Sequence, residues 1–143
     1  ATIVDVVESH NEMKITSPPG TRLPLLAGTM GKVFLSQLEE KKAKEILKKM
    51  GLVRFTSKSI VDQKKFFKEV EETKKKGYAI DDEEYMLGVR AIAAPIQTGS
   101  APLAAIWVVG FTSSLNDQKM ERMIAEIKKT AEEISQSARD HVR

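Results

Sequence analysis

The feature that most constrains this chain is a change of period two thirds of the way along it. Leu87 to Ile96 (LGVRAIAAPI) and Leu103 to Phe111 (LAAIWVVGF) are long runs of β type, and QTGSAP between them is turn chemistry. Two such runs across a short turn predict an antiparallel hairpin. They are the most apolar segments of the chain, so they should lie centrally in a sheet.

The flanking segments read differently. Ala1 to Glu8 alternates and is rich in Val, Ile and Thr, which predicts a strand, with Met13 to Thr16 as a short returning one. Ser17-Pro18-Pro19-Gly20 breaks it. Thr29 is a candidate N-cap for a short helix through Leu38, and Ser36 with Glu39 has capping-box spacing ahead of a second. Ala43, Ile46, Leu47 and Met50 fall at helical spacing, with Gly51 as the stop. Asp62 caps a third helix carrying Phe66, Phe67 and Val70, which ends in Lys74, Lys75, Lys76 and Gly77 as the helix dipole and an αL cap favour. Asn116 caps a final long helix whose stripe is Met120, Met123, Ile124, Ile127, Ala131, Ile134 and Ala138. The order of elements gives an α+β domain with a mostly antiparallel central sheet flanked by helices.

Composition narrows the function. The chain has 143 residues, the size of one compact domain, and no cysteine, which excludes disulfides, thiolate metal sites and a cysteine nucleophile. No apolar run approaches the roughly 20 residues that span a bilayer, and the N-terminus is no signal peptide. It opens directly in an alternating apolar run without Met, as a fragment of a longer chain would. The net charge of +3, from 23 basic and 20 acidic residues, is too small to argue for nucleic-acid binding. The lysines are interleaved with glutamates, which reads as solvated helix faces.

Chemistry-bearing motifs are few. Asp81, Asp82, Glu83 and Glu84 look like a metal cluster, but adjacent residues of an extended segment point to opposite faces, and no His or Cys lies nearby to complete a set. His10 and His141 stand far from any triad partner and read as surface residues. Gly28 to Lys32 (GTMGK) has a partial likeness to a phosphate loop but lacks its spacing, since Val33 follows the lysine. No metal, cofactor or catalytic residue is expected, and no nucleophile–base pair supports an enzyme.

Four blocks, LLAGTMGKVFLSQL, GLVRFTSKSI, KKKGYAIDDEEYMLGVRAIAAPI and PLAAIWVVGF, resemble in order and spacing the effector domain of IclR-type transcription regulators. The likeness runs from Val4 to the C-terminal helix. It implies a GAF-like fold, a small organic acid as effector, assembly into homodimers or tetramers, a cytoplasmic location and no membrane contact. It also implies DNA binding through an N-terminal winged helix-turn-helix that this chain does not contain. Residues 1–143 would then be one ligand-sensing and oligomerisation domain lacking its first strand.

The resemblance places the effector between the sheet and the loop opening the first helix. Carried over, the contacts are Gly28, Thr29, Met30, Gly31, Asp81, Val89, Ala91, Trp107 and Val109. A glycine-containing loop at a helix N-terminus presents backbone N–H groups and partial positive charge, which suits a carboxylate. The same feature also serves as a plain helix cap. Family members that bind small oxo-acids carry a thiol and hydroxyls at the places of Ala91, Trp107 and Val109. A methyl, an indole and an isopropyl group stand there instead, and a buried acid without partners is costly. Two readings stay open: Trp107 stacks on an aromatic or apolar acid with its N–H as the polar handle, or Trp107 fills the cleft and the domain is a structural oligomerisation module.

Overall fold

The computed structural model describes residues 1–99 and 103–141. Four helices and three strands follow in the order α1 (Gly28–Ser36), α2 (Glu40–Met50), α3 (Gln63–Lys76), β1 (Ala79–Asp82), β2 (Val89–Ile96), β3 (Ala104–Phe111) and α4 (Asp117–His141). The strands form one antiparallel sheet in the order β1-β2-β3. The two apolar runs pair as the hairpin, from Val89 opposite Phe111 to Ile96 opposite Ala104. Part of the QTGSAP turn lies outside the described residues.

The sheet is packed on both faces. On one, Ile92 and Ala94 meet Leu115, Met120, Ile127 and Ala131, with Ile80, Ile106 and Val108 alongside, so α4 lies against this face. On the other, Ala79 and Ala93 meet Met30 and Val33 of α1, with Trp107 beside them. A further core of Leu35, Ala43, Leu47, Phe66 and Val70 joins α1, α2 and α3.

The caps agree with the sequence at three helix ends. The Asp62 side chain accepts a hydrogen bond from the Lys65 N–H, Asn116 accepts one from the Lys119 N–H, and Gly77 closes α3 in the left-handed conformation. Elsewhere the tertiary fold overrides local signals. α1 begins at Gly28 with Ala27 as N-cap, and Thr29 is buried inside the first turn. Ser36 does not make a capping box, because its hydroxyl donates to the Val33 carbonyl in its own helix.

The N-terminal strand is the main departure. Only Ala1 to Ile3 pair with Gly20 to Leu23, around a single bridge between Thr2 and Arg22. Beyond it the alternation has nothing to bury against, and Val4 and Val7 stand 87% and 98% exposed. A period of two is a strand only where a neighbour supplies hydrogen bonds and a face to cover.

α1 lies close to α3 because Gly31 has no side chain. A Cβ there would meet the Leu26 backbone and the Phe66 ring, both at 2.8 Å. Backbone cannot swing aside as a flexible side chain can, so Gly31→Ala should destabilise the domain by about 1–3 kcal/mol, the usual cost of overpacking. Urea denaturation checks this, and an unchanged midpoint would show that α1 and α3 can separate freely.

Candidate functional site

The sheet register brings the expected sheet residues onto one face. Asp81, Ala91 and Val109 stand in one row across the three strands, and Ala79, Ala93 and Trp107 in the next. Val89 pairs with Phe111 on the far side of the first row, on the same face by the two-residue period. α1 crosses this face and brings Gly28 and Met30 to it, with Thr29 buried between them. Gly31, packed on Leu26 and Phe66, turns toward α3.

The contact between Gly28 and Asp81 decides the local geometry. Gly28 has φ +51°, in the left-handed region, and any Cβ it carried would collide with Asp81 Oδ2. Glycine meets both demands at once. The carboxylate of Asp81 thus sits at the N-terminus of α1, where unpaired amides and the helix dipole favour an anion. Its other oxygen accepts the Glu84 N–H at 2.6 Å. The helix N-terminus expected to receive a ligand's carboxylate therefore already faces one from the protein itself.

The four consecutive acids divide among four tasks. Asp81 is buried against α1. Asp82 is on the opposite sheet face and pairs with Arg90 at 2.7 Å; Arg90 also reaches Asp117 at 2.8 Å and the Leu115 carbonyl. Glu83 adopts φ +61° and is held by Lys58 and by the Gly88 N–H. Glu84 turns inward to Lys32 Nζ at 2.7 Å. The acids do not converge, and among the described residues no group of three or more His, Cys, Asp or Glu could hold a metal ion.

Thr56 and Ser59 were not singled out from the sequence, and Glu84 and Lys32 figured there only in an acidic run and a partial phosphate-loop likeness. Lys32 is 1% exposed, and besides Glu84 its ammonium donates to the Ile80 carbonyl at 2.8 Å and approaches Glu69 at 3.5 Å. The Thr56 hydroxyl donates to the Glu83 carbonyl and the Ser59 hydroxyl to that of Glu84, both at 2.7 Å. The one available signal was a lysine as the sole charge in an otherwise apolar helix.

The electrostatics follow from burial. Desolvation pushes the Asp81 carboxyl above the usual range, against the Glu84 amide and the Lys32 charge, which pull it down. Glu84 is also raised, chiefly by burial, with Lys32 opposing. Asp82 and Glu83 are lowered by hydrogen bonds from Arg90 and Lys58 respectively.

Trp107 carries an unmet demand. It is half-buried among Met30, Val33, Ala79 and Ala93, and its indole N–H is shielded from solvent without a hydrogen-bond partner. A buried donor left unpaired costs about 1–3 kcal/mol. Among the hollows on the described surface, two stand out. One, of about 360 Å³, is lined by Asp82, Arg90, Thr112, Asn116 and Asp117 among others, and one of about 160 Å³ lies over Leu38 and Phe67. Neither borders Trp107.

Comparison with known proteins bears on this arrangement. Residues 1–136 match the family described as bacterial transcriptional regulator IclR C-terminal. The transcriptional repressor IclR of Escherichia coli is 35% identical over 136 residues, covering 94% of this chain and 50% of that protein. The crystal structure of the Thermotoga maritima IclR superposes with TM-score 0.84 at 30% identity, over 94% of this chain and 55% of that one. The inducer-binding domain of the PobR transcription factor from Acinetobacter, a double mutant in complex with 3-hydroxybenzoic acid, does so with TM-score 0.74 at 31% identity, over 82% of this chain and 70% of that one. The chain spans about half the length of the curated relatives it matches. No helix among the described residues is long and apolar enough to cross a membrane.

Asp81 gives a pH signature. Its folded pKa lies above the unfolded value, so the ionised form is disfavoured by folding. The stability it contributes is complete below the unfolded value of 3.8 and is lost as pH rises through the raised folded value. Asp81→Asn keeps an acceptor for the Glu84 amide and does not titrate. The variant's stability relative to the parent should therefore be greater at about pH 7.5 than at about pH 4.5. Urea denaturation at the two pH values checks the sign, and equal differences would show that Asp81 is not desolvated.

Proposed function

Since the chain belongs to the IclR family of bacterial transcriptional regulators, as their C-terminal effector domain, and that is a family of regulators and not of enzymes, we propose that it senses a hydroxylated aromatic acid in the cleft between α1 and the sheet. The observation that carries this reading is the partnerless indole N–H of Trp107, on the same sheet face as the buried carboxyl of Asp81. They lie two strands apart and in adjacent rows, roughly 10 Å across the sheet and 7 Å along it between backbones. Once side chains reach inward, a ring-sized molecule spans that separation and a two-carbon acid does not. A ring hydroxyl would donate to Asp81, and the acid's carboxylate would accept from Trp107 and stay clear of the anion at the helix N-terminus.

The methyls of Ala91 and Ala93 and the side chains of Val89 and Val109 would floor a ring, and Gly28 and Met30 would roof it once α1 lifts from the sheet on which Met30 and Val33 now pack. A double mutant of a related inducer-binding domain, that of PobR, forms a complex with 3-hydroxybenzoic acid, which has this chemistry. In the complete regulator, which we take to assemble as a homodimer or tetramer in the cytoplasm, the effector would favour one arrangement of subunits and of their N-terminal DNA-reading domains. Its differential affinity sets how far the equilibrium moves, and a shift from mostly one state to mostly the other takes about 5.5 kcal/mol.

A second reading has its own support. Trp107 packs against Met30 and Val33, and neither hollow borders it. A cleft filled by the indole would make the domain a structural oligomerisation module without a metabolite.

A thermal-shift and calorimetric screen separates the two. Hydroxybenzoates should raise the melting temperature saturably, by the equivalent of about 2.7 kcal/mol at 100 Kd, while glyoxylate and pyruvate should not. Trp107→Phe removes the donor and keeps the ring, and should weaken binding about tenfold, the worth of one hydrogen bond to a charged group. A folded, assembled protein that shows no shift with any acid would favour the structural module.

A further inference from the structure

Lys32 is among the most buried side chains of the described residues, and it is a cation. It stands one helical turn after Gly28 on α1, so the same face that lays Gly28 on Asp81 carries the Lys32 stem. Its ammonium donates to the carbonyl of Ile80, the residue before Asp81, and to the carboxylate of Glu84. The Glu84 amide in turn donates to Asp81 Oδ1. We propose that Lys32 is a positioning residue for Asp81: it clamps the chain on both sides of that carboxylate, from Ile80 and from Glu84, and supplies the positive charge the carboxylate leans on.

The charges around Asp81 leave this task to Lys32. On the strand and turn that carry it stand Asp82, Glu83, Glu84 and Tyr85, which bring negative charge or none. α3 contributes Glu69, which reaches Lys32 and not Asp81. β2 places Ala91 opposite, while Arg90 is on the other face, bound to Asp82 and Asp117, and Lys58 is bound to Glu83. One buried cation thus serves two inward carboxylates. Its contribution reaches Asp81 through space and, by way of the Glu84 amide, through a chain of two hydrogen bonds.

The inference rests on reading Asp81 as an effector contact, and its test does not need an effector. The side-chain carboxyl of Asp81 is titrated by carbon-13 NMR, and exchange of the Glu84 amide is followed, in the ligand-free protein. Lys32→Met should move the Asp81 midpoint upward, and Lys32→Arg should restore most of that shift. Glu84→Gln, which removes a like charge and leaves the cation, should move it downward. In Lys32→Met the Glu84 amide should exchange about tenfold faster, as expected where a charge-assisted hydrogen bond holding the turn is lost. A lysine that merely fills space would leave the Asp81 titration where it is, and that result in folded Lys32→Met overturns the proposal. Should Lys32→Met fail to fold, an unmoved midpoint in Glu84→Gln overturns it equally. Binding of 3-hydroxybenzoate read in the same variants separates the two claims. Affinity falling with the upward shift supports both, whereas a midpoint that moves while affinity stays leaves the clamp standing and removes Asp81 from the effector contacts.

Discussion

The structure depends on a central strand that is covered on both faces. β2 is hydrogen-bonded on either side by β1 and β3, with α4 packed on one face and α1 on the other. Its central side chains toward α1 are methyls, Ala91 and Ala93, both essentially buried. A helix can approach a sheet closely only where the intervening side chains are small, because interiors are close-packed and tolerate no overlap. That closeness puts the backbone of Gly28 against Asp81 and lets Met30 and Val33 reach Ala79 and Ala93. Larger residues at these two positions would lift α1 and open the Gly28–Asp81 approach. The geometry of the site is therefore set by packing before any polar group acts.

Onto that frame the turn after β1 is fastened from several directions. Lys32 holds it from α1, Thr56 and Ser59 grip two of its carbonyls, and Glu83 binds both Lys58 and the Gly88 N–H while its own backbone stays in the left-handed region. A non-glycine residue with positive φ persists only where its surroundings over-determine it. Here they do, and the beneficiary is Asp81, whose oxygen is fixed by the Glu84 amide at the end of this set of contacts.

How much of this could be read in the sequence follows from which signals are local. The hairpin was legible because both its strands are long, apolar and separated by turn residues, and α3 and α4 because Asp62, Gly77 and Asn116 cap them through nearest neighbours. The face shared by Asp81, Ala91, Trp107 and Val109 came from family likeness, and the two-residue period with the observed register accounts for it. The first strand was misjudged because alternation says nothing about whether a partner is present. Thr29 does not cap because a buried helix start answers to the core around it, and Ser36 does not because it ends α1 and bonds the Val33 carbonyl there. Lys32 was missed for a related reason. Its partners Ile80 and Glu84 are 48 and 52 residues away, and being the sole charge of α1 hints that it points inward without saying what it meets.

A sensor accounts for Trp107 better than a filler does. A tryptophan selected only for volume gains nothing from a buried donor, and phenylalanine would supply nearly the same surface without an unpaired N–H. Asp81 likewise is desolvated where an asparagine would accept the same Glu84 amide without a charge to bury. The indole donor and the Asp81 carboxyl share the face that α1 covers, and an effector of the proposed kind would engage both. A ligand can shift an equilibrium only by interactions that differ between two states. A domain whose polar groups were already satisfied would have little to offer an effector. This one leaves the Trp107 indole donor unpartnered on a face of alanine and valine, beside a turn that Lys32 braces from α1.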